Sequence, residues 1–286
     1  MKKKTKLIFM GTPDFAVPSL EALSKNGHHD LVVVTQPDRP TGRGLKINPP
    51  PVKKAAQRFG YDVIQPVSAK NKDFLDTISE LKPDMLVVVA YGHILSKNIL
   101  AIPKKGAINL HASLLPKYRG PAPIHWAIIN QEKETGVTTM LLDEGMDTGN
   151  ILLSAKEKIT AVDTSATLHD RLAVLGAELI IKTLKSLENN DFNPIAQDHA
   201  KATYAPFLKK GDGRIVWGKS AEQIDCFIRG VTPWPGAFTF CDNKRLKIFS
   251  AEPLPGKVNE APGTVIKAFP DELRIATGKG ALSVIE

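Results

Sequence analysis

Asn109 and His111 stand two residues apart at the end of a short apolar run, Gly106-Ala107-Ile108-Asn109-Leu110-His111. In an extended strand, residues two apart point to the same face, so an amide and an imidazole would share one cleft. The imidazole can shuttle a proton near neutral pH. The amide N–H can donate to an oxygen as negative charge develops on it. A carboxylate comes from the loop Asp143-Glu144-Gly145-Met146-Asp147-Thr148-Gly149, where Asp147 could orient His111 or hold it protonated. Between them lie Ser113-Leu114-Leu115-Pro116 and a Gly/Pro-rich stretch from Tyr118 to Pro123. Amide, imidazole and carboxylate around one apolar slot suit acyl-type transfer without a metal or a covalent nucleophile. No serine or cysteine is paired with a base that would make an acyl-enzyme. Taken singly, each of these residues is more often structural than catalytic.

The elements that must position them follow from hydrophobic pattern. Lys6 to Met10, Leu31 to Thr35, Met85 to Ala90 and Ala107 to Leu110 are apolar runs that read as buried strands. Pro13 to Ser24 and Asn71 to Leu81 (Phe74, Ile78, Leu81) carry helical spacing. Uninterrupted apolar strands alternating with helices predict an α/β fold with a parallel sheet covered on both faces. Open sheets of this kind bind ligands beyond the carboxyl ends of their strands, which is where Asn109 and His111 fall. Ile124 to Asn130 predicts a helix, Val137–Leu142 and Ile151–Ala155 an antiparallel pair, and Thr164 to Thr167 the cap of a helix reaching Leu187. From about Tyr204 the pattern changes to short strands between Gly, Pro and Asn/Asp clusters: Arg214–Trp217, Ala237–Cys241, Leu246–Phe249, Thr264–Phe269, Glu272–Ala276 and Leu282–Ile285, with a helix over Ser220–Arg229. That pattern predicts a small β-barrel. The division expected is 1–189, a polar linker over 190–204, and 205–286. The strand-like ending leaves open that the chain stops short of a natural terminus.

Composition, at 42% hydrophobic and 24% charged over 286 residues, supports folded domains. The apolar run after the basic start, Leu7 to Met10, is too short for a signal peptide. No segment approaches the ~18 apolar residues of a membrane span. Cys226 and Cys241 have no metal-clip spacing, so no metal is expected and a reducing, cytoplasmic setting fits. Cys226 lies on the Ile224, Phe227, Ile228 pattern and reads as a core thiol. His125, Trp126, His169 and Trp217 read as packing residues. The formal charge of +8 is denser in the last third. Arg39, Arg43, Lys46, Lys53, Lys54 and Arg58 occur without an acid between residues 39 and 61, which describes either a polyanion-attracting patch or a solvated surface. Arg39-Pro40-Thr41-Gly42-Arg43-Gly44 is too rich in Gly and Pro for a regular element and reads as a basic loop able to reach a phosphate backbone. Gly11-Thr12-Pro13-Asp14 is a strand-to-helix turn whose helix end favours an anion. It is neither a P-loop nor a dinucleotide fingerprint.

The stretch His111-Ala112-Ser113-Leu114-Leu115-Pro116-Lys117-Tyr118-Arg119-Gly120, followed by the Asp143–Gly149 loop, resembles the signature of the 10-formyltetrahydrofolate-dependent formyltransferases. The resemblance implies a Rossmann-like, mainly parallel catalytic domain followed by a small OB-like β-barrel. It implies that Asn109, His111 and Asp147 form the catalytic trio. Ser113, Leu114, Leu115 and Pro116 would contribute to the folate site, and the loop with Asp143 and Asp147 would pack on the pterin. Tyr91-Gly92-His93-Ile94-Leu95 is similar to the other pterin wall, with backbone near His93 and Leu95 reading the pterin edge. Gly11–Ala16, Thr35–Gly44, Gln65–Ser68, Val88–Gly92, Arg214–Trp217 and Pro233–Gly236 extend the likeness to the branch that formylates the α-amine of initiator methionyl-tRNA for translation initiation. In that branch the 35–44 loop contacts the acceptor stem, which assigns Arg39, Arg43 and Lys46 to tRNA, and a monomer is expected. A formyltransferase acting on sugar-nucleotide amines, an inactive RNA-binding relative and a folate hydrolase are the alternatives.

Overall fold

The computed structural model describes residues 5–27, 29–41, 46–268 and 272–286. The basic start (Met1 to Lys4), Arg43 with its glycine neighbours, and Phe269 lie outside them. In chain order the elements are β1 (Thr5–Gly11), α1 (Val17–Asn26), β2 (His29–Val34), β3 (Arg39–Thr41), β4 (Lys46–Asn48), α2 (Pro51–Arg58), β5 (Val63–Ile64), α3 (Lys72–Leu81), β6 (Met85–Val89), α4 (Lys97–Leu100) and β7 (Ala107–His111). There follow α5 (Pro123–Ile129), β8 (Glu134–Leu141), β9 (Ile151–Lys158), α6 (Ser165–Glu188), α7 (Ala221–Gly230), β10 (Ala237–Cys241), β11 (Lys244–Ile248), β12 (Ala251–Leu254), β13 (Val265–Lys267), β14 (Leu273–Ala276) and β15 (Ala281–Val284). Contacts group the chain into two compact units: residues 1–119, 136–156 and 170–203, and residues 120–135, 157–169 and 204–286.

The first unit is built on a seven-stranded sheet in the order β5-β2-β1-β6-β7-β8-β9. The pairs from β5 through β7 are parallel, and β8 runs antiparallel to β7. Leu141 N–H donates to Asn150 O at 2.9 Å while Gly136 abuts the Ala155 carbonyl, so β9 runs opposite to β8. Leu7, Ile8, Phe9 and Met10 are all fully buried, as a strand covered on both faces requires. On one face Ile8, Met10, Val32, Val34, Leu86, Val88 and Ala107 pack with Phe74, Ile78, Tyr91, Leu95 and Ile99. On the other, Gly176 of α6 meets the Leu110 side chain. Register sets Asn109 beside Val88, so Asn109 and His111 project on the first of these faces, opposite Leu110.

Arg39–Thr41, expected to be part of an irregular loop over 39–44, is instead strand β3, which forms a two-stranded antiparallel ribbon with β4 and sets Pro40 opposite Ile47. Pro is tolerated there because a ribbon with open edges does not need its missing N–H.

The second unit centres on Leu208, Ile215, Ile224, Ile228, Val231, Ala237, Ile248 and Leu282. Trp126 and Trp217 pack against this core, as expected for packing residues. Its strands form a hairpin, β10-β11, and a sheet in the order β12-β15-β14-β13, all pairs antiparallel. Arg214–Trp217 is not a strand but a single bridge from Arg214 to Phe238. β12 was hidden by Glu252 and Pro253, which break the strand pattern. Among the described residues no helix is long and apolar enough to cross a membrane.

Replacing the fully buried Ile78 by Ala should cost about 2–5 kcal/mol in urea denaturation. A loss below about 0.5 kcal/mol would mean that α3 does not seat on the sheet.

Candidate active site

His111 ends β7 and is buried, 6% exposed. Its Nε2 lies 2.8 Å from the Tyr118 carbonyl oxygen. A carbonyl only accepts, so Nε2 carries a proton. The second ring nitrogen, Nδ1, is then the one able to take up or release a proton, and it faces Asp147 Oδ2 at 3.6 Å. That separation is an ion-pair distance, longer than a direct hydrogen bond. Asn109, half-buried, lies two residues back on the same strand. The structure therefore brings His111 and Asp147 together and sets Asn109 on the same sheet face.

The loop carrying Asp147 is shaped by its own residues. Asp143 Oδ1 accepts from Gly145 N–H at 3.0 Å and from the Thr148 hydroxyl at 2.6 Å. A side chain at Gly149 would meet the Leu141 carbonyl oxygen at 1.7 Å, so only glycine fits. Asp147 takes a left-handed conformation, φ 53°, unfavourable for a residue with a Cβ. Its carbonyl and that of Gly149 both accept from Gln197 Nε2, at 2.9 and 2.7 Å. Sequence reasoning missed Gln197, which sits in the stretch read as linker. It also passed over the role of Arg119, the partner of Gln197, although Arg119 lies inside the quoted signature.

Ser113 is fully buried and its hydroxyl donates to the Lys117 carbonyl at 2.6 Å, closing the turn. Leu115 N–H donates to the Thr138 hydroxyl, which donates to Ser113 O. Leu115 is buried while Leu114 and Pro116 are half-exposed. The segment thus offers shape more than polar side chains. Leu95 belongs to the sheet core, so only its backbone is available to a ligand. His93 Nε2 and the Tyr91 hydroxyl are buried without a partner among the described residues. Leu100, Ala101, Leu142, Asp143 and Gly145 line a cavity of about 520 Å³, and Lys97 and Glu144 on its lining form an exposed ion pair at 2.8 Å.

Arg39 and Lys46 are exposed on the β3–β4 ribbon; Arg43 lies outside the described residues. Two of the six cations in the basic run are matched by acids from beyond it. Lys53 binds Asp38 at 2.8 Å, and Arg58 binds Glu21. Gln65 first, and then Lys53, hold the Asp38 carboxyl below its ordinary range. The run is less uniformly positive in space than in sequence.

The amino-acid sequence matches the family model described as formyl transferase over residues 3–184 and that for the formyl transferase C-terminal domain over residues 208–286. The chain belongs to the formyl transferase family. It is 51% identical to the methionyl-tRNA formyltransferase of Caldanaerobacter subterraneus subsp. tengcongensis over 282 residues, spanning 98% of this chain and 91% of that protein. It is 48% identical to the methionyl-tRNA formyltransferase of Alkaliphilus oremlandii, again over 98% and 91% of the two chains. An N-formyltransferase from Helicobacter canadensis, solved with folinic acid and dTDP-3-aminofucose, shares the fold at a TM-score of 0.73 and 23% identity over 99% of both chains.

Burial pushes the Tyr91 phenol up to about 12. In the unfolded chain a tyrosine ionises near 10. The native phenol therefore contributes stability that is intact below about pH 10 and is lost as pH rises toward 12. Tyr91→Phe should flatten that decline, read by urea denaturation across the window. An equally steep decline in the variant would place the titrating group elsewhere.

Proposed function

We propose that this chain transfers the formyl group of 10-formyltetrahydrofolate to the α-amine of initiator methionyl-tRNA, giving N-formylmethionyl-tRNA. The observation that carries the reading is the His111–Asp147 pair at 3.6 Å, at the carboxyl end of β7. It sits in a chain about half identical, nearly end to end, to methionyl-tRNA formyltransferases. In this reading residues 1–189 form the catalytic domain, 190–204 a linker, and 205–286 an OB-like barrel that binds tRNA. The chain acts in the cytoplasm as a monomer.

The folate donor supplies the one-carbon unit. The residues present suit it: the Asp143–Gly145 segment borders a cavity of about 520 Å³, and an unmatched His93 Nε2 lies in the other expected wall. Asn109 donates its amide N–H to the formyl oxygen as charge gathers there. His111, protonated, adds to that stabilisation through Nδ1, because Nε2 is committed to Tyr118. With Asp147 it holds a water that carries the proton from the attacking amine to the departing folate nitrogen. One C–N bond forms at the amine, one breaks at the folate, and no covalent enzyme species is required. Ser113 to Pro116 shape the slot, and Arg39, Arg43 and Lys46 neutralise acceptor-stem phosphates.

The deciding experiment is a donor-dependent gain of one formyl mass on methionyl-tRNA, set beside free methionine and a sugar-nucleotide amine. Gain on the sugar nucleotide alone would overturn the reading. Asn109→Ala should lower kcat by ~10² to 10³ and His111→Ala by ~10² to 10⁴, with tRNA affinity little changed. Near-normal turnover would remove either residue from the chemistry. Arg43→Ala should weaken use of tRNA far more than folate binding and flatten the dependence of tRNA affinity on salt, since that dependence counts phosphate contacts. Equal losses toward both substrates would point to misfolding.

A further inference from the structure

Gln197 is 6% exposed and uses all of its hydrogen-bonding capacity. Its Nε2 donates to the carbonyls of Asp147 and Gly149 at 2.9 and 2.7 Å. Its Oε1 accepts from Arg119 Nε and Nη2 at 3.1 and 2.6 Å. The amide orientation is not arbitrary. A guanidinium only donates, so the oxygen must face Arg119 and the NH₂ must face the two carbonyls. Arg119 is itself 2% exposed. Its backbone N–H donates to Thr203 O at 2.8 Å, and Tyr118 N–H donates to the Thr203 hydroxyl at 2.8 Å. The neighbouring carbonyl, that of Tyr118, is the one that accepts from His111 Nε2.

We propose that Gln197 is a positioning residue for the reaction: held by Arg119, it clamps the carbonyls of Asp147 and Gly149 and so fixes the Asp147 carboxylate opposite His111 Nδ1. The dipeptide Tyr118-Arg119 then sets both members of the pair. Tyr118 fixes the imidazole directly, and Arg119 fixes the carboxylate through Gln197. Two bonds to carbonyls two residues apart also help hold Asp147 at φ 53°, a conformation that costs most residues with a Cβ. A segment that joins two regions in chain order thereby contributes to the geometry of the site. The inference rests on the formyl-transfer reading for its kinetic arm only.

Gln197→Glu separates the two halves of the clamp. The carboxylate still accepts from Arg119, while an oxygen replaces the N–H donors facing the two carbonyls. On the full chain, amide hydrogen exchange over residues 143–150 should quicken by about tenfold or more, with the sheet strands unchanged. In steady-state formyl transfer, kcat should fall about 10- to 100-fold, as expected of a reacting group misplaced by around an ångström. KM for methionyl-tRNA should stay within about twofold of wild type. Gln197→Ala should reproduce the loop exchange. Wild-type exchange in the loop, or a fall in kcat without it, would overturn the proposal. So would faster exchange throughout the sheet, which would make Gln197 a general structural residue. Should the wild-type chain transfer no formyl group, the functional reading falls, and the exchange measurement still decides whether Gln197 holds the loop.

Discussion

The His111 imidazole lies between two groups of opposite demand. On one side a backbone carbonyl accepts from Nε2 at 2.8 Å and fixes which nitrogen keeps its proton. On the other, the Asp147 carboxylate stands 3.6 Å from Nδ1, an ion-pair distance that is too long for a direct hydrogen bond. This arrangement gives the ring one chemically active edge and one anchored edge. In the proposed reaction the active edge is the only part of the ring that meets substrate. Everything that moves Tyr118 or Asp147 alters what the imidazole can do.

Both neighbours sit on conformations that the chain does not adopt freely. Tyr118 and Asp147 have φ of 58° and 53°, and Ala90, just beyond β6, has 47°. Each left-handed residue with a Cβ costs on the order of 1 kcal/mol. Their gathering at the carboxyl edge of one sheet is typical of sites where geometry outranks local stability. The surrounding bonds hold them there. Thr203 grips Tyr118 and Arg119, Gln197 grips the Asp147 loop, and Thr12 and Gln36 both donate to the Tyr91 carbonyl next to Ala90.

Legibility in the sequence tracked how local the cause was. The apolar strands β1, β2, β6 and β7 and the helices α3 and α6 were readable because each carries its own periodicity. β12 was not, because Pro253 and Glu252 mask a strand whose pairing with β15 is long-range. Nor was α2, which starts at Pro51 after a Pro-rich stretch and buries only Val52, Ala55 and Ala56. The β3–β4 ribbon looked irregular because it relies on its partner strand and not on propensity. In the site, residue types told which groups could do chemistry. They did not tell that the Ser113 hydroxyl is consumed by the Lys117 carbonyl, or that Lys53 answers an acid outside the basic run.

By itself the sequence determined the parallel-sheet class of the first unit, the placing of Asn109 and His111 on one strand face, and the loop that carries Asp147. These follow from the strand period of two, from burial of apolar runs, and from glycine and proline chemistry, all of which act between near neighbours. The tertiary structure decided which imidazole nitrogen is tied to the backbone, how far the other stands from the carboxylate, and that Gln197 bonds both to the loop and to Arg119. Those depend on contacts that span from seven positions, for His111 and Tyr118, to 78, for Arg119 and Gln197. The directions of such bonds are fixed only once the backbone has closed around them.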